Sequence, residues 1–280
     1  MDTYLLPRDT SDLLFKNAGF KPDNTALYTQ KYIRDLKGTV KASSKSKQPD
    51  RLKPSDQETK HIVGVRPTAS YTAAENKLLS ELVKSQLDIV NAYKYNHCIS
   101  SRTGSRMVLG LGSESVFETG ITLHSVYGFP YIPGSAVKGC LKNYLIREYF
   151  ANNEESAHAN EQCRKIFGTQ ENKGGIIFLD VYPKKCDALE LDIMNPHYGE
   201  YYQGKRAPTD DMNPTPIKFY AVPKETYFTF RVVSDKIDIE SEKIGGKTIP
   251  EILSELLTEI GLGAKTAVGY GWFRNIVIDE

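Results

Sequence analysis

The sequence lacks several features that would assign it a chemistry. Its 36 basic and 35 acidic residues nearly cancel, so bulk charge gives no attraction for nucleic acid and any basic surface must be local. Its four cysteines are widely spaced and form no Cys-x-x-Cys pair, which disfavours a zinc site and favours reduced, mostly buried thiols. We therefore expect neither a bound metal nor a cofactor.

The chain also lacks the long apolar runs of membrane proteins. No stretch approaches the roughly 20 apolar residues that a membrane-spanning helix needs. The first residues, MDTYLLPRDT, contain no basic flank followed by an apolar stretch, so we expect no secretory signal and a cytoplasmic location. A hydrophobic fraction of 40% with 25% charged residues is typical of a globular protein.

The pattern along the chain predicts a single domain over 1–280, with an N-terminal extension (1–35) and two inserted segments. Segment 37–60 is rich in Lys, Ser and Pro and poor in large apolar side chains, which predicts a flexible basic insertion. It is either solvated or in contact with a polyanion. Segment 192–216 shows little periodicity and predicts a long loop of the kind that usually carries function.

Two helices and a set of strands follow from capping and periodicity. Thr72 and Glu75 have capping-box spacing ahead of one apolar helical stripe, and Ser135 is the predicted N-cap of a second helix. The segments 217–222 and 226–233 predict a hairpin around a short Pro-Lys-Glu turn. From residue 106 onward the predicted order is strand, helix, strand, strand, helix, strand. This is the ferredoxin-like (RRM-like) order of an α+β fold, with its helices on one face of the sheet.

The loop GLGAKTAVGYG (261–271) combines four glycines with one lysine. Ala264 stands where a Walker-type loop needs glycine, and a dinucleotide-binding loop would follow a strand rather than a helix, so both nucleotide interpretations fail. Two interpretations remain. The glycines serve tight packing, or they let an RNA backbone approach while Lys265 and Thr266 meet its phosphates.

The segment PGSAVKG (133–139) opens the second predicted helix. Free N–H groups at a helix N-terminus attract anions, and Lys138 and Lys142 are one turn apart on one helical face. An ordinary capped helix explains this segment as well as a phosphate site does. In a ferredoxin-like order the segment and the Gly-rich loop would lie near the same end of the sheet.

The predicted loop 192–216 interleaves aromatic and basic side chains. His197, Tyr198, Lys205 and Arg206 suit the stacking of bases together with neutralisation of phosphates. A metal site built from the acids and the histidine of this loop is disfavoured, because no regular spacing fixes the ligands.

Catalysis has weaker support. Metal-independent RNA cleavage needs a base for the 2′-hydroxyl and an acid for the leaving oxygen. His97 beside Tyr95, or His197 beside Tyr198, would have to fill these roles, and neither pairing exceeds chance in a chain with 17 tyrosines.

Several motifs resemble a known family. GITLHSVYGFPYIPGSAVKG resembles the hallmark of RAMP proteins of CRISPR systems, and GLGAKTAVGYG resembles their C-terminal Gly-rich loop. GIIFLDVYP, DIMNPHYGEYY and PTDDMNPTPIKF, with LPRDT near the start, are similar to the terminal RAMP subunit of type III-B (Cmr) CRISPR effector complexes. The resemblance covers most of 105–275.

The resemblance implies a non-catalytic, crRNA-binding subunit of an RNA-targeting complex in antiviral defence. Such a subunit caps the RAMP filament near the 3′ end of the crRNA, packs against neighbouring RAMP subunits and helps to hold the complementary target RNA. The alternative is a metal-independent crRNA-processing endoribonuclease of the same fold. The candidate RNA contacts from the residues and the resemblance together are Gly134, Ser135, Lys138, Lys142, His197, Tyr198, Lys205, Arg206, Gly263, Lys265, Thr266 and Gly269.

Overall fold

A computed structural model describes most of the chain from residue 68 onward. The described residues are 3–4, 34–35, 68–112, 119–196, 199–202, 204–209 and 216–279. The predicted basic insertion 37–60 and most of the predicted N-terminal extension therefore lie outside them. Within these ranges, no helix is both long and apolar enough to cross a lipid bilayer.

The described ranges contain eleven strands and six α-helices. The strands are β1 (Thr3–Tyr4), β2 (Arg34–Asp35), β3 (Thr68–Ser70), β4 (Tyr95–Thr103), β5 (Ile177–Phe178), β6 (Ala188–Met194), β7 (Ile217–Ala221), β8 (Tyr227–Ser234), β9 (Lys243–Ile244), β10 (Lys247–Thr248) and β11 (Phe273–Asp279). The helices are α1 (Ala73–Ala92), α2 (Gly134–Tyr149), α3 (Glu154–Ala159), α4 (Glu161–Phe167), α5 (Gly199–Tyr202) and α6 (Ile249–Glu259).

The central sheet has four antiparallel strands in the order β11–β4–β8–β5. Along the chain these strands and the two long helices between them run β4, α2, β5, β8, α6, β11. The predicted mixed α+β class is confirmed, but the first strand is β4 rather than the segment from residue 106. In the described part of 106–128, Met107, Val108 and Leu123 form only isolated bridges. Gly110, with φ 67°, turns the chain there and interrupts any longer pairing.

A second sheet of three strands, in the order β3–β6–β7, lies beside the first. The predicted hairpin of 217–222 and 226–233 is wrong, because β7 pairs with β6 whereas β8 pairs with β4. The turn between β7 and β8 is instead held by hydrogen bonds to Thr103. Glu225 has a φ of 66°, and its N–H donates to the Thr103 carbonyl at 2.9 Å, while the Thr226 N–H donates to the Thr103 hydroxyl at 3.0 Å. The chain therefore passes from one sheet to the other at this turn.

The two faces of the central sheet differ in burial. On β4, Ile99, Ser101 and Thr103 are buried in alternation with half-buried Ser100 and Arg102 on the other face. The core over the buried face includes Phe228, Phe230 and Phe273 together with apolar side chains of α2 and α6. Two hydrogen bonds, from Tyr144 to Glu259 and from Tyr149 to Glu255, join those two helices.

Helix α1 reaches the other face of the sheet. Its Gln86 accepts a hydrogen bond at 3.1 Å from Arg231, which follows Phe230 on β8 and so points to the opposite face. The predicted arrangement, with the helices on one face of the sheet, therefore does not include α1. Its N-terminus is as predicted, since Thr72 and Glu75 form the reciprocal capping box.

Candidate nucleic-acid interface

The loop 261–271 is held in one conformation by backbone hydrogen bonds. The Leu262 N–H donates to the Gly271 carbonyl at 2.8 Å, the Ala264 N–H to Val108 at 2.8 Å, and the Gly271 N–H to Arg106 at 2.9 Å. The last strand begins only at Phe273, so Gly269 and Gly271 precede it. The loop is thus pinned to the segment 106–108 rather than extended along the sheet edge.

Three of the four glycines in this loop are required by packing. Gly261, Gly263 and Gly271 have φ angles of 78°, 101° and 72°, which favour glycine. A Cβ at each would lie 2.3, 2.4 and 2.0 Å from a backbone carbonyl oxygen, which is too close for any side chain. Gly269 differs, because its φ is 92° but a Cβ at this position would meet no atom of the described residues within 4 Å. Among these four glycines, Gly269 alone leaves open space above the backbone.

Lys265 stands at the centre of the loop in a left-handed conformation with φ 62°. Its ammonium nitrogen lies 3.7 Å from the Met194 sulfur and 5.8 Å from the centre of the Phe219 ring. Within the described ranges, no carboxylate forms an ion pair with it. Thr266, the next residue, is half-buried at the start of a single turn of 3-10 helix. The loop therefore presents a cation whose charge is not neutralised by a neighbouring acid.

Asp192, an acid two residues before Met194 on β6, is engaged elsewhere. Its carboxylate pairs with Arg106 at 2.6 Å and accepts a hydrogen bond from the Tyr270 hydroxyl at 2.7 Å. Burial acts to raise the pKa of this carboxyl, but the hydrogen bonds from Tyr270 and the Ile193 N–H, with the Arg106 charge, hold the pKa below its ordinary value. Asp192 remains ionised and fixes the loop to β6.

The long segment that connects β6 to β7 begins and ends beside Lys265. Met194, the last residue of β6, pairs directly with Ile217, the first residue of β7. Residues 192–194 therefore belong to a strand, and the irregular segment starts later in the chain than predicted. Because Met194 contacts Lys265, both ends of this segment are anchored next to the Gly-rich loop.

The described part of that segment carries exposed aromatic and basic side chains. Tyr201 and Tyr202 on α5 are 50% and 68% exposed, with ring centres 5.7 Å apart. Lys205 and Arg206 follow them and are exposed. The predicted contacts His197 and Tyr198 lie outside the described residues.

The candidate metal ligands of this segment remain untested as a set, since His197, Asp210 and Asp211 also fall outside the described ranges. Where the chain is described, no three His, Cys, Asp or Glu residues cluster as metal ligands would.

The N-terminus of α2 differs from the predicted anion site. The N-cap is Pro133, and Ser135 lies exposed within the first turn, so its predicted role as N-cap is wrong. The Gly134 N–H already donates to the Asp180 carboxylate at 2.8 Å. A Cβ on Gly134 would lie 2.1 Å from the Phe178 carbonyl oxygen, so this glycine is required for packing against β5. An acid therefore occupies the position proposed for a phosphate.

The two lysines on α2 have different surroundings. The Lys142 ammonium donates to Nε2 of His158 at 2.9 Å. Lys138, one turn earlier, is half-buried and forms no ion pair with any described residue. Of these two lysines, Lys138 is therefore the more available to bind an anion.

The structure does not bring the two candidate phosphate sites together. Gly134 packs on β5, whereas the Gly-rich loop leads into β11, and these strands form opposite edges of the central sheet. Three strand spacings separate them, which is roughly 14 Å. A nucleic acid that touched both would have to extend across the sheet.

His97, the described candidate for a catalytic base, lies on the buried face of β4. The residue is 8% exposed, Nδ1 lies 3.2 Å from a Glu240 carboxylate oxygen, and Nε2 has no hydrogen-bond partner among the described residues. Tyr95, on the same face, is half-buried. An RNA phosphate has no direct path to this imidazole.

Comparison with known proteins identifies the family. The RAMP superfamily model matches residues 102–274, which is more than half of the chain. The chain belongs to the RAMP superfamily. This RAMP protein is 31% identical to the CRISPR system Cmr subunit Cmr6 of Pyrococcus furiosus, over 70% of its own length and 72% of that protein. It is 28% identical to the Cmr6 subunit of Saccharolobus solfataricus, over 80% and 75% of the two chains.

The fold comparison agrees with the RAMP assignment. A chain in the cryo-EM structure of the type III-B Cmr-beta bound to cognate target RNA matches with a TM-score of 0.55 and 22% identity. The match covers 73% of the RAMP protein and 68% of that chain. At this level of identity the match supports the shared fold alone.

Proposed function

We propose that this RAMP protein is a non-catalytic, crRNA-binding subunit of a type III-B CRISPR effector complex. In this role it caps the filament of RAMP subunits near the 3′ end of the crRNA, contacts complementary target RNA, and acts in antiviral defence in the cytoplasm. We also infer that its core is ferredoxin-like, because the first to fourth strands of the central sheet lie in the order 4-1-3-2 with a helix after the first and third.

The observation that carries this proposal is the setting of Lys265. A rigid loop holds its ammonium without a carboxylate partner among the described residues, and a phosphate oxygen would supply the missing anion. The neighbouring Gly269 leaves the backbone uncovered on one side. A polyanion backbone can approach such a surface closely, whereas a surface covered by side chains would keep it away.

The segment anchored beside Lys265 extends the proposed contact surface. Tyr201 and Tyr202 offer exposed rings on which bases can stack, and Lys205 adds positive charge. The names of the relatives are consistent with this role, since both are called subunits of a CRISPR Cmr system. Neighbouring RAMP subunits and crRNA are therefore the partners that we propose.

The endoribonuclease alternative has less support. It needs an accessible base, and His97 is 8% exposed and paired with Glu240. Target cleavage is proposed to belong to another subunit of the complex.

Binding of single-stranded RNA to the purified chain tests the proposal. We expect Lys265→Ala combined with Lys138→Ala to weaken binding several-fold at fixed, stated salt, because each lysine meets a phosphate. Lys236→Ala, which removes an exposed lysine elsewhere, is the matched control and should leave the affinity unchanged.

The same samples test the alternative. Incubation with repeat RNA in EDTA should leave the RNA intact. Cleavage that His97→Ala abolishes would contradict the non-catalytic role, and an unchanged affinity of the double variant would refute the assigned contacts.

A further inference from the structure

We propose that a cleft at the end of the central sheet, between residues 184–188 and 223–227, binds one nucleotide of single-stranded RNA. The base stacks on Tyr227, and the phosphate lies between Lys184 and Lys224. This inference rests on the proposed RNA-binding function and adds a contact that none of the Gly-rich loop, α2 or the 192–216 segment supplies.

The cleft has the size of a small-ligand site and a lining that combines one aromatic ring with charged side chains. Its volume is about 360 Å³, within the range of pockets that hold small molecules. One wall is the segment that leads into β6, and the other is the turn by which the chain crosses between the two sheets. Tyr227 lies at the start of β8 and is 50% exposed, although most of that strand is buried.

Both walls are fixed by hydrogen bonds, so the cleft exists without a ligand. The Thr103 hydroxyl donates to the Pro223 carbonyl at 3.0 Å and accepts from the Thr226 N–H at 3.0 Å. On the other wall, the Asn76 amide group donates to the Cys186 carbonyl at 2.9 Å and accepts from the Cys186 N–H at 3.0 Å. Binding in such a preformed site loses little conformational entropy.

The two acids in the cleft are already neutralised. Asp187 pairs with Lys185 at 2.7 Å. Glu225 is shared by two arginines of neighbouring strands, with Arg102 at 2.8 Å and Arg274 in closer contact. Glu225 therefore cannot cancel a further positive charge, and the surroundings of the cleft are net basic.

Two lysines on opposite walls remain for a ligand. Lys184 and Lys224 are exposed, and neither forms an ion pair with any residue in the described part of the chain. The Lys184 backbone N–H donates to the Tyr227 carbonyl at 2.7 Å, so this lysine and the tyrosine start from adjacent backbone positions. An exposed aromatic ring in a cleft that also carries two cations matches a base followed by its phosphate better than it matches an acidic peptide, which offers carboxylates but no base to stack.

The position of the cleft fits a strand of RNA that also meets the Gly-rich loop. Arg102, at the end of β4, pairs directly with Tyr227, and Phe273, the first residue of the strand that follows the loop, pairs with Thr103. The Gly104 N–H donates to the Trp272 carbonyl at 2.8 Å, which ties the exit of the loop to the same end of β4. Cleft and loop therefore lie at one end of the sheet.

Three variants of the full chain test the cleft, with fluorescence anisotropy of a labelled single-stranded RNA oligonucleotide at fixed salt. Tyr227→Ala should weaken binding by about 5- to 150-fold, the loss expected for one base stack. Tyr227→Phe keeps the ring and should bind within about twofold of the unchanged chain. Lys184→Ala combined with Lys224→Ala should weaken binding several-fold and reduce its salt dependence. Lys236→Ala again serves as the control, and thermal melting shows that each variant is folded.

The outcomes separate this inference from the proposed function. If Lys265→Ala weakens RNA binding while the three cleft variants bind normally, the cleft inference is wrong and the proposed function stands. If the unchanged chain binds no RNA, the proposed function fails and the inference fails with it. If polyglutamate binds the unchanged chain but not the Lys184 and Lys224 double variant, while RNA binds both chains equally, the cleft takes an acidic protein segment and the inference is also overturned.

Discussion

At the scale of single residues, the surroundings of Lys265 depend on which neighbouring charges are already satisfied. Asp192 lies on the same strand as Met194, which contacts the Lys265 ammonium, yet its carboxylate is taken by Arg106 and Tyr270. An acid that held Lys265 would cancel the charge proposed to meet RNA. One aspartate therefore fixes the loop, and among the described residues the lysine has no carboxylate partner.

The Asp192 contacts predict a dependence of stability on pH. The folded-state pKa of this carboxyl is lowered, so its stabilising effect is complete above the unfolded-state value of about 3.9 and is lost as the pH falls through the folded-state value. Asp192→Asn should lower stability at pH 7 by about 1 kcal/mol and reduce the loss on acidification. Urea unfolding at pH 7 and near pH 3 measures both effects.

Asp88→Asn is the control for that prediction. Asp88 is exposed on α1 and forms no ion pair among the described residues, so its replacement should change neither quantity. An Asp192→Asn chain as stable as the parent at pH 7 would show that the carboxylate does not hold the loop.

At the scale of elements, the sequence predicts those features that depend on local signals. The capping box at Thr72 and Glu75 marks the start of α1, as predicted, and Gly261, with a φ of 78°, follows the end of α6. The predicted hairpin fails because its two strands have better partners far away in the chain, and no local signal at the Pro-Lys-Glu turn reveals the hydrogen bonds to Thr103. Pairing between distant strands is decided by tertiary contacts that the local pattern does not contain.

The same limit applies to the candidate site. The charge at Lys265 is visible in the sequence, but Met194 and Phe219, which determine its surroundings, lie about 50 to 70 positions earlier in the chain. The glycines of the loop are also visible, but whether each one serves packing or access depends on which backbone passes over it. Gly263 and Gly269 look alike in sequence, yet only Gly263 lies against a carbonyl group.

Helix α2 offers a matched pair of glycines that tests this distinction. A Cβ on Gly134 would lie 2.1 Å from the Phe178 carbonyl oxygen of β5, whereas a Cβ on Gly139 would meet nothing within 4 Å. Gly134→Ala should lower the free energy of unfolding by about 1–3 kcal/mol, because the strand backbone must move. Gly139→Ala should raise it by roughly 0.5–1 kcal/mol, since alanine is the better helix former.

Chemical denaturation of the two single variants gives the comparison directly. Equal effects of the two substitutions would show that Gly134 is not held against β5, and would restore a free helix N-terminus as a candidate anion site.

At the scale of the whole molecule, attraction for RNA has to come from local surfaces, because the formal net charge is only +1. The two candidate phosphate sites do not lie near each other as predicted, since the strand order puts the edges β5 and β11 on opposite sides of the sheet. Composition cannot reveal this separation, and the order of helices and strands along the chain does not state which strands form the edges of the sheet, because strand pairing depends on tertiary contacts.

The separation predicts that the two sites act independently on RNA binding. Each phosphate contact to single-stranded RNA contributes about 0.7 to the slope of log affinity against log salt concentration. Lys265→Ala and Lys138→Ala should therefore each reduce that slope by about 0.7, and the double variant by about 1.4, because groups more than about 7–10 Å apart act additively. Affinities of the four chains for one RNA oligonucleotide, measured between about 50 and 200 mM salt, test this arithmetic. A change confined to Lys265→Ala would remove α2 from the interface, and a double variant no weaker than either single variant would mean that both lysines serve a single phosphate.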